Sequence, residues 1–457
     1  MKWLSWLCPG INLKRWLLLF TLGVILCAFS LALLFNNQVM GFVEELLFRM
    51  SYLTTGRYSN GLAYLSAGAG IIAGLLVMIY ATRRMVRSVV EAVIPENSDS
   101  LMETIFTQRK LSNGPAVTVL GGGTGLSTLL RGMKFITSNC SAVVTVADDG
   151  GSSGRLRQEL GIIPPGDLRN CLVAMADREP LMERVMQYRF QGDSPLAGHN
   201  LGNLFLAGIA ATEGGMEAGL NAASEILRVR GQVIPSTLSD IQLRADMTDG
   251  SVVLGESEIT KAGKRIARLS MVPETAPATR SAVDAILKAD VLIFGPGSLY
   301  TSVIPNLLVP GIREAVLESN AFKIYVCNVM TQPGETDGYG AYEHVKALED
   351  HVGARFLDYV IVNDQAATPG QLEQYKAKGQ EPVTPDIDKI EAMGITVVPT
   401  RLISDHDLVR HNPQKLAQVI MSLIYRLRLF GRGFVFFDYL FVRQSMRNLR
   451  KNLPFKG

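Results

Sequence analysis

Cysteine is scarce and scattered in this 457-residue chain. Cys8, Cys27, Cys140, Cys171 and Cys327 show no CxxC spacing, and Cys27 sits inside an apolar run, which argues against a disulfide framework and a cysteine-rich zinc site. Histidine is equally sparse, at five, with no HxxxH pair. His406 and His411 come close to that spacing and are expected to be ordinary buried or surface residues rather than metal ligands. No Walker A run, no internal repeat and no low-complexity tract occurs. Charged residues make up only 19% against 47% hydrophobic, and the mean hydropathy is +0.19, which excludes a disordered chain. The length accommodates two or three domains.

Charge is missing altogether from two long stretches. Residues 16–35, WLLLFTLGVILCAFSLALLF, and residues 62–80 each run long enough to cross a hydrocarbon core of roughly 30 Å as a helix. The first is too long for the apolar region of a cleaved signal peptide, and no small-residue cleavage site follows it. Lys14 and Arg15 precede the first run and Arg83, Arg84 and Arg87 follow the second, so both termini are expected in the cytoplasm of a two-pass plasma-membrane protein. Gly68, Gly70 and Gly74 in the second run would let another helix approach closely. Neither run holds an ionisable side chain, which leaves a transport or proton-relay role without support.

The net charge of +3 conceals a division. Region 1–95 carries eight basic and three acidic residues, and the tail 426–457 carries eight basic residues against Asp438 alone, so the body between them is acidic overall. A basic, aromatic-rich tail below a membrane anchor reads as an element drawn to anionic lipid, with a nucleic-acid tail or a docking helix as the competing readings. No nucleic-acid partner is expected, and a homo-oligomer is an open expectation.

The expected organisation is a membrane hairpin over 1–95, a polar linker over 96–113, a globular body over 114–425 and the tail. Within the body, short apolar strands at 116–120, 142–147, 291–294, 324–327, 359–362 and 395–398 alternate with helical stretches at 168–176, 203–211, 282–288, 312–318 and 344–349. That alternation predicts an α/β, mostly parallel sheet covered on both faces. Residues 232–261 break the pattern, with two alternating runs flanking Asp249-Gly250, and predict a small antiparallel insertion.

Polar loops end four of these strands. Gly121, Gly122, Gly123, Thr124 and Gly125 open a helix after the first strand, where small residues and free N–H groups favour a phosphate. The run is an imperfect dinucleotide fingerprint, because Leu126 stands where the third glycine belongs. Asp148, Asp149, Gly151, Ser152, Ser153 and Arg155 follow the second strand and offer ligands for a ribose diol, phosphate oxygens or a divalent cation such as Mg²⁺ held by Asp148 and Asp149. Asp167 and Asn170, then His199, Asn200 and Asn203, stand at two further helix starts, where capping competes with a site role. His199, with Asp148 and Asp149, is a candidate for acid–base chemistry. Gly295, Gly297, Ser298, Tyr300 and Thr301 form a second glycine and hydroxyl loop, in which the Tyr300 ring could pack on a base or sugar. Asn328 and the 332–337 segment end the next strand in the same way.

Taken in order, VTVLGGGTGLSTLLRGMK, VTVADDGGSSGRLR, PPGDLRNCLVAMAD, GHNLGNLFLAG, FGPGSLYTSVIPNLLVPGI and CNVMTQPGETDGY resemble the YvcK branch of the CofD-like family, over about residues 115–423. The resemblance implies a Rossmann-like nucleotide-binding fold. CofD itself is a transferase that moves a phospholactyl group from a guanylyl-activated donor to a deazaflavin. The YvcK branch is associated instead with UDP-sugar binding, growth on gluconeogenic carbon sources, and cell shape and envelope synthesis. The resemblance therefore implies a membrane-tethered regulator binding a sugar nucleotide such as UDP-N-acetylglucosamine, with a CofD-like transferase as the alternative and an NAD-dependent reductase disfavoured. On that reading the glycine loops and Arg155 hold the diphosphate, and Asp148 or Asp149 holds ribose or Mg²⁺.

Overall fold

The computed structural model describes residues 13–34, 41–55, 61–93, 111–177, 179–366, 368–403 and 411–431. The chain divides into two compact units, Met1–Gln108 and Arg109–Gly457. Most of the expected linker, His406 and the tail beyond residue 431 lie outside the described residues.

In the first unit, helices Leu13–Leu34 and Gly61–Val93 pack along each other, joined through a shorter helix, Gly41–Thr55. Stretches Arg15–Leu34 and Tyr64–Ser88 are long and apolar enough to cross a membrane. Their contact depends on small residues: a Cβ on Gly74 would strike the Cys27 sulfur and approach the Gly23 carbonyl to 2.9 Å, and one on Gly70 would strike the Ser30 hydroxyl. Gly68 faces open space and takes no part. At one end Trp16 meets Tyr80 edge to face, with the Arg84 guanidinium 5.4 Å from the indole.

The second unit is built on seven parallel strands: β1 (Val117–Gly121), β2 (Cys140–Val144), β3 (Gln232–Pro235), β7 (Val291–Phe294), β8 (Phe322–Val326), β9 (Tyr359–Asn363) and β10 (Thr396–Thr400), in the spatial order β10-β9-β8-β7-β1-β2-β3. Every residue of β1 and β7 is buried, as expected for central strands with helices on both faces. Strand order reverses between β1 and β7, so the chain leaves their carboxyl ends in opposite directions, the switch point where open α/β sheets bind ligands.

The insertion is a three-stranded antiparallel sheet of β4 (Gln242–Met247), β5 (Val252–Leu254) and β6 (Ile266–Val272), turning at Asp249-Gly250 with Gly250 at φ +84°. It starts later than the pattern predicted. Residues 232–235 complete the parallel sheet as its edge strand, where the ring of Pro235 at the strand end is tolerated. Helix Pro413–Gly431 buries Leu416, Ile420 and Ile424. Its first turn crosses helix Gly123–Met133, where a Cβ on Gly132 would reach Ala417 at 2.7 Å. The start of the basic tail is therefore the end of a core helix.

Candidate functional site

A cleft of about 290 Å³ opens at the carboxyl ends of β1, β7 and β8. One wall is the backbone of Gly122, Gly123, Thr124 and Gly125 as it enters helix Gly123–Met133. The second is Pro296, Gly297, Ser298 and Ser302 after β7. The two loops press together: a Cβ on Gly125 would lie 2.5 Å from the Pro296 oxygen and 2.8 Å from the Gly297 Cα, both backbone atoms that cannot step aside. Asn328, beyond β8, staples the arrangement, donating to the Gly297 carbonyl at 2.8 Å and accepting from its N–H at 3.3 Å. The far wall holds Met330, Gln332, Tyr375, Lys378, Gln380 and His411. Lys378 is the only formally charged side chain among the described lining residues.

The other predicted residues form a second group behind the glycine loop. Asp167 joins the two, its Oδ2 accepting from the Gly123 N–H at 2.7 Å. Asp148 Oδ1 accepts from the Gly150 N–H at 2.9 Å, and its other oxygen faces Gly166 and the Ser153 hydroxyl. Ser152 Oγ accepts from the Asn200 N–H at 3.1 Å and from Asn203 Nδ2 at 3.2 Å, so its own proton is directed to His199 Nδ1 at 3.3 Å. That leaves the His199 proton on Nε2. Arg169 Nη1 donates to Asn203 Oδ1 at 2.6 Å and Nη2 to Asn170 Oδ1 at 2.8 Å.

This interior is crowded with carboxyls. Burial and then the neighbouring Asp148 charge push Asp167 up to about 6, against the pull of the Gly123 N–H and Arg169. Burial likewise raises Asp148. Glu335 is raised to about 7 by burial despite the Thr301 hydroxyl. Glu256 is raised to about 9 by burial and by the charges of Asp148, Asp167, Glu335 and Asp149. Desolvation lowers Arg169, the cation nearest Asp148 and Asp167.

Several assignments change with the geometry. Asp149 Oδ1 accepts from the Ser257 N–H at 3.0 Å in the first turn of helix Glu256–Ala262, and its charge helps raise Asp148. Asp148 also acts on Asp167, so the buried acidic group includes Asp167 as well as the adjacent pair. No cluster of three or more metal-ligating side chains occurs among the described residues. Arg155 donates to the Ala197 carbonyl at 3.0 Å and does not line the cleft, so it is not placed to hold a diphosphate there. Tyr300 is also turned away. The wide helical turn Leu299–Val303 directs its ring inward, 2% exposed, where its hydroxyl shares a 2.9 Å hydrogen bond with Tyr339. Thr301 is buried on Glu335 Oε1 at 3.0 Å, and Asn200 is a helix cap.

Sequence reasoning missed Tyr375, Lys378, Gln380 and His411 as cleft residues. These four lie on segments whose pattern gives no hint that they meet the β1 loop, whereas Ser302 closes the expected hydroxyl loop.

Comparisons with known proteins agree with this architecture. Residues 117–403 match the family model described as 2-phospho-L-lactate transferase CofD. The gluconeogenesis factor of Bacillus subtilis (strain 168) is 46% identical over 311 residues, covering 68% of this chain and 98% of the relative. A Nostoc sp. (strain PCC 7120) protein is 44% identical over 425 residues, 92% of each chain, a match too long to exclude the apolar N-terminal unit. A crystal structure of a Bacillus halodurans protein superposes with a TM-score of 0.66 at 48% identity, covering 68% of this chain and all of that one.

Proposed function

Because the chain belongs to the CofD family and is similar to gluconeogenesis factors, we propose that it is a membrane-tethered binder of a UDP-sugar of the UDP-N-acetylglucosamine type that couples carbon supply to envelope synthesis and cell shape. The observation that carries this reading is the cleft itself, with backbone N–H groups at one end and an aromatic, weakly charged wall at the other. A diphosphate belongs at the start of helix Gly123–Met133, where the Thr124 and Gly125 N–H groups and the helix dipole meet an anion. The Ser302 hydroxyl lines the same end, and Lys378 adds charge at the rim. Tyr375 supplies the ring expected of Tyr300.

The raised Asp148 and Asp167 carboxyls fit a cation arriving with the nucleotide, which would relieve their mutual repulsion. A Mg²⁺ ion held by Asp148 and Asp167 would supply positive charge beside the glycine loop. The same pair keeps the transferase reading alive. Turnover of an activated phosphoester that vanishes in Asp148→Asn while nucleotide binding persists would establish it. The apolar helices would anchor the protein and place the body at the cytoplasmic face, with the basic tail on anionic lipid. Equal vesicle binding by a tail-deleted body would discard the lipid contact.

Isothermal titration with UDP-N-acetylglucosamine tests the proposal. Saturable binding is the expected result; none, or tighter binding of GDP or NAD, would defeat it.

A further inference from the structure

The cleft wall opposite the glycine loops is a small hydrogen-bonded frame. The Thr331 N–H donates to the Glu381 carbonyl at 2.7 Å, and the Glu381 N–H returns to Thr331 Oγ1 at 2.9 Å. Val329, Met330, Tyr375 and Ile403 form a buried apolar cluster there, and Ile403 is bridged antiparallel to His411. Tyr375 and His411 therefore belong to the same end of the cleft, and both line it.

One nitrogen of the His411 ring is committed. Nε2 lies 3.2 Å from the Cys327 carbonyl oxygen. A carbonyl only accepts, so Nε2 carries the proton and Nδ1 keeps its lone pair. Among the described residues Nδ1 has no hydrogen-bond partner. Burial pushes the imidazole down to about 4 in spite of the Cys327 carbonyl, so the ring stays neutral at physiological pH and Nδ1 remains an acceptor. A neutral acceptor with a locked tautomer, beside an aromatic ring in a ligand-sized cleft, calls for a ligand that brings an N–H.

We propose that His411 reads the base of the bound nucleotide, Nδ1 accepting the N3–H of uracil and thereby selecting uridine over cytidine nucleotides. This rests on the nucleotide-sugar reading of the cleft. Uracil N3 carries a hydrogen, whereas cytosine N3 presents a lone pair that would confront the one on Nδ1. Facing lone pairs in a partly dehydrated site leave two acceptors unsatisfied, and sites built to bond a ligand N–H reject analogues lacking it strongly. His411 is thus a specificity-determining residue, separate from the groups that hold the diphosphate.

The test measures dissociation constants for UDP, CDP and N3-methyl-UDP on the full chain in detergent. The unaltered protein should bind UDP at least roughly tenfold tighter than either analogue. His411→Leu should bring UDP and CDP to within about threefold of each other, mainly by weakening UDP. Equal binding of the three ligands by the unaltered protein, or undiminished discrimination in the leucine variant, would overturn the role of His411 and leave uridine-sugar binding standing. Should neither UDP nor UDP-N-acetylglucosamine bind, both readings fall. If the variant does not fold, the ligand series on the unaltered protein decides.

Discussion

Replacing Asp167 with Asn should make the protein more stable at neutral pH and worse at binding. The folded protein holds this carboxyl at about 6 against an ordinary 3.8, because burial and the Asp148 charge disfavour its ionised form. With the folded value raised, the contribution to stability is fully present below pH 3.8 and is lost as pH rises through about 6. Each pKa unit corresponds to about 1.4 kcal/mol, so the ionised form costs at most about 3 kcal/mol above pH 6, less whatever solvent screening remains around a partly exposed side chain. Asparagine has no such titration, and its oxygen can still accept the Gly123 N–H, now 2.7 Å from the Asp167 carboxylate. Thermal melts of the full chain in detergent should show Asp167→Asn gaining a few degrees at pH 7.5 and almost nothing near pH 4. Mg²⁺-dependent nucleotide affinity should fall in the same variant. Destabilisation of equal size at both pH values would refute the reasoning and reduce Asp167 to a loop tether.

Other substitutions probe separate parts of the account. Gly125→Ala forces a methyl against the Pro296 and Gly297 backbone; it should cost about 2–3 kcal/mol in a denaturant melt and abolish nucleotide binding by titration. Ser152→Ala removes the oxygen shared by Asn200, Asn203 and His199, leaving buried groups unpaired, and should destabilise the protein by about 2 kcal/mol in the same assay without direct loss of a cleft contact. Gly74→Val should pry apart the two long N-terminal helices and speed maleimide labelling of Cys27, followed by mass mapping, while nucleotide affinity stays unchanged.

Much of the sheet was legible because its central strands are short, continuous apolar runs ended by polar loops; strand 291–294 begins and ends where the pattern put it. The edge strand Gln232–Pro235 was not, since four residues ending in proline resemble the turn-rich insertion that follows. Within the site, the glycine loops were readable as loops. Their purpose was only half readable: Gly125 is demanded by a neighbouring backbone 171 positions away in the sequence, at Pro296, which no local pattern reveals. Tyr300 shows the limit of loop reasoning, because a wide helical turn decides which of 299–303 face the cleft and rotates Ser302 outward in its place. His411 was invisible for a related reason. Its meaning comes from the Cys327 carbonyl, which fixes its tautomer from another strand end.

Native mass spectrometry of the freshly purified full chain tests the central claim most directly, by identifying the nucleotide that travels with it. The account predicts a uridine diphosphate sugar, displaced by added UDP-N-acetylglucosamine; a guanine nucleotide or a dinucleotide in its place would contradict it.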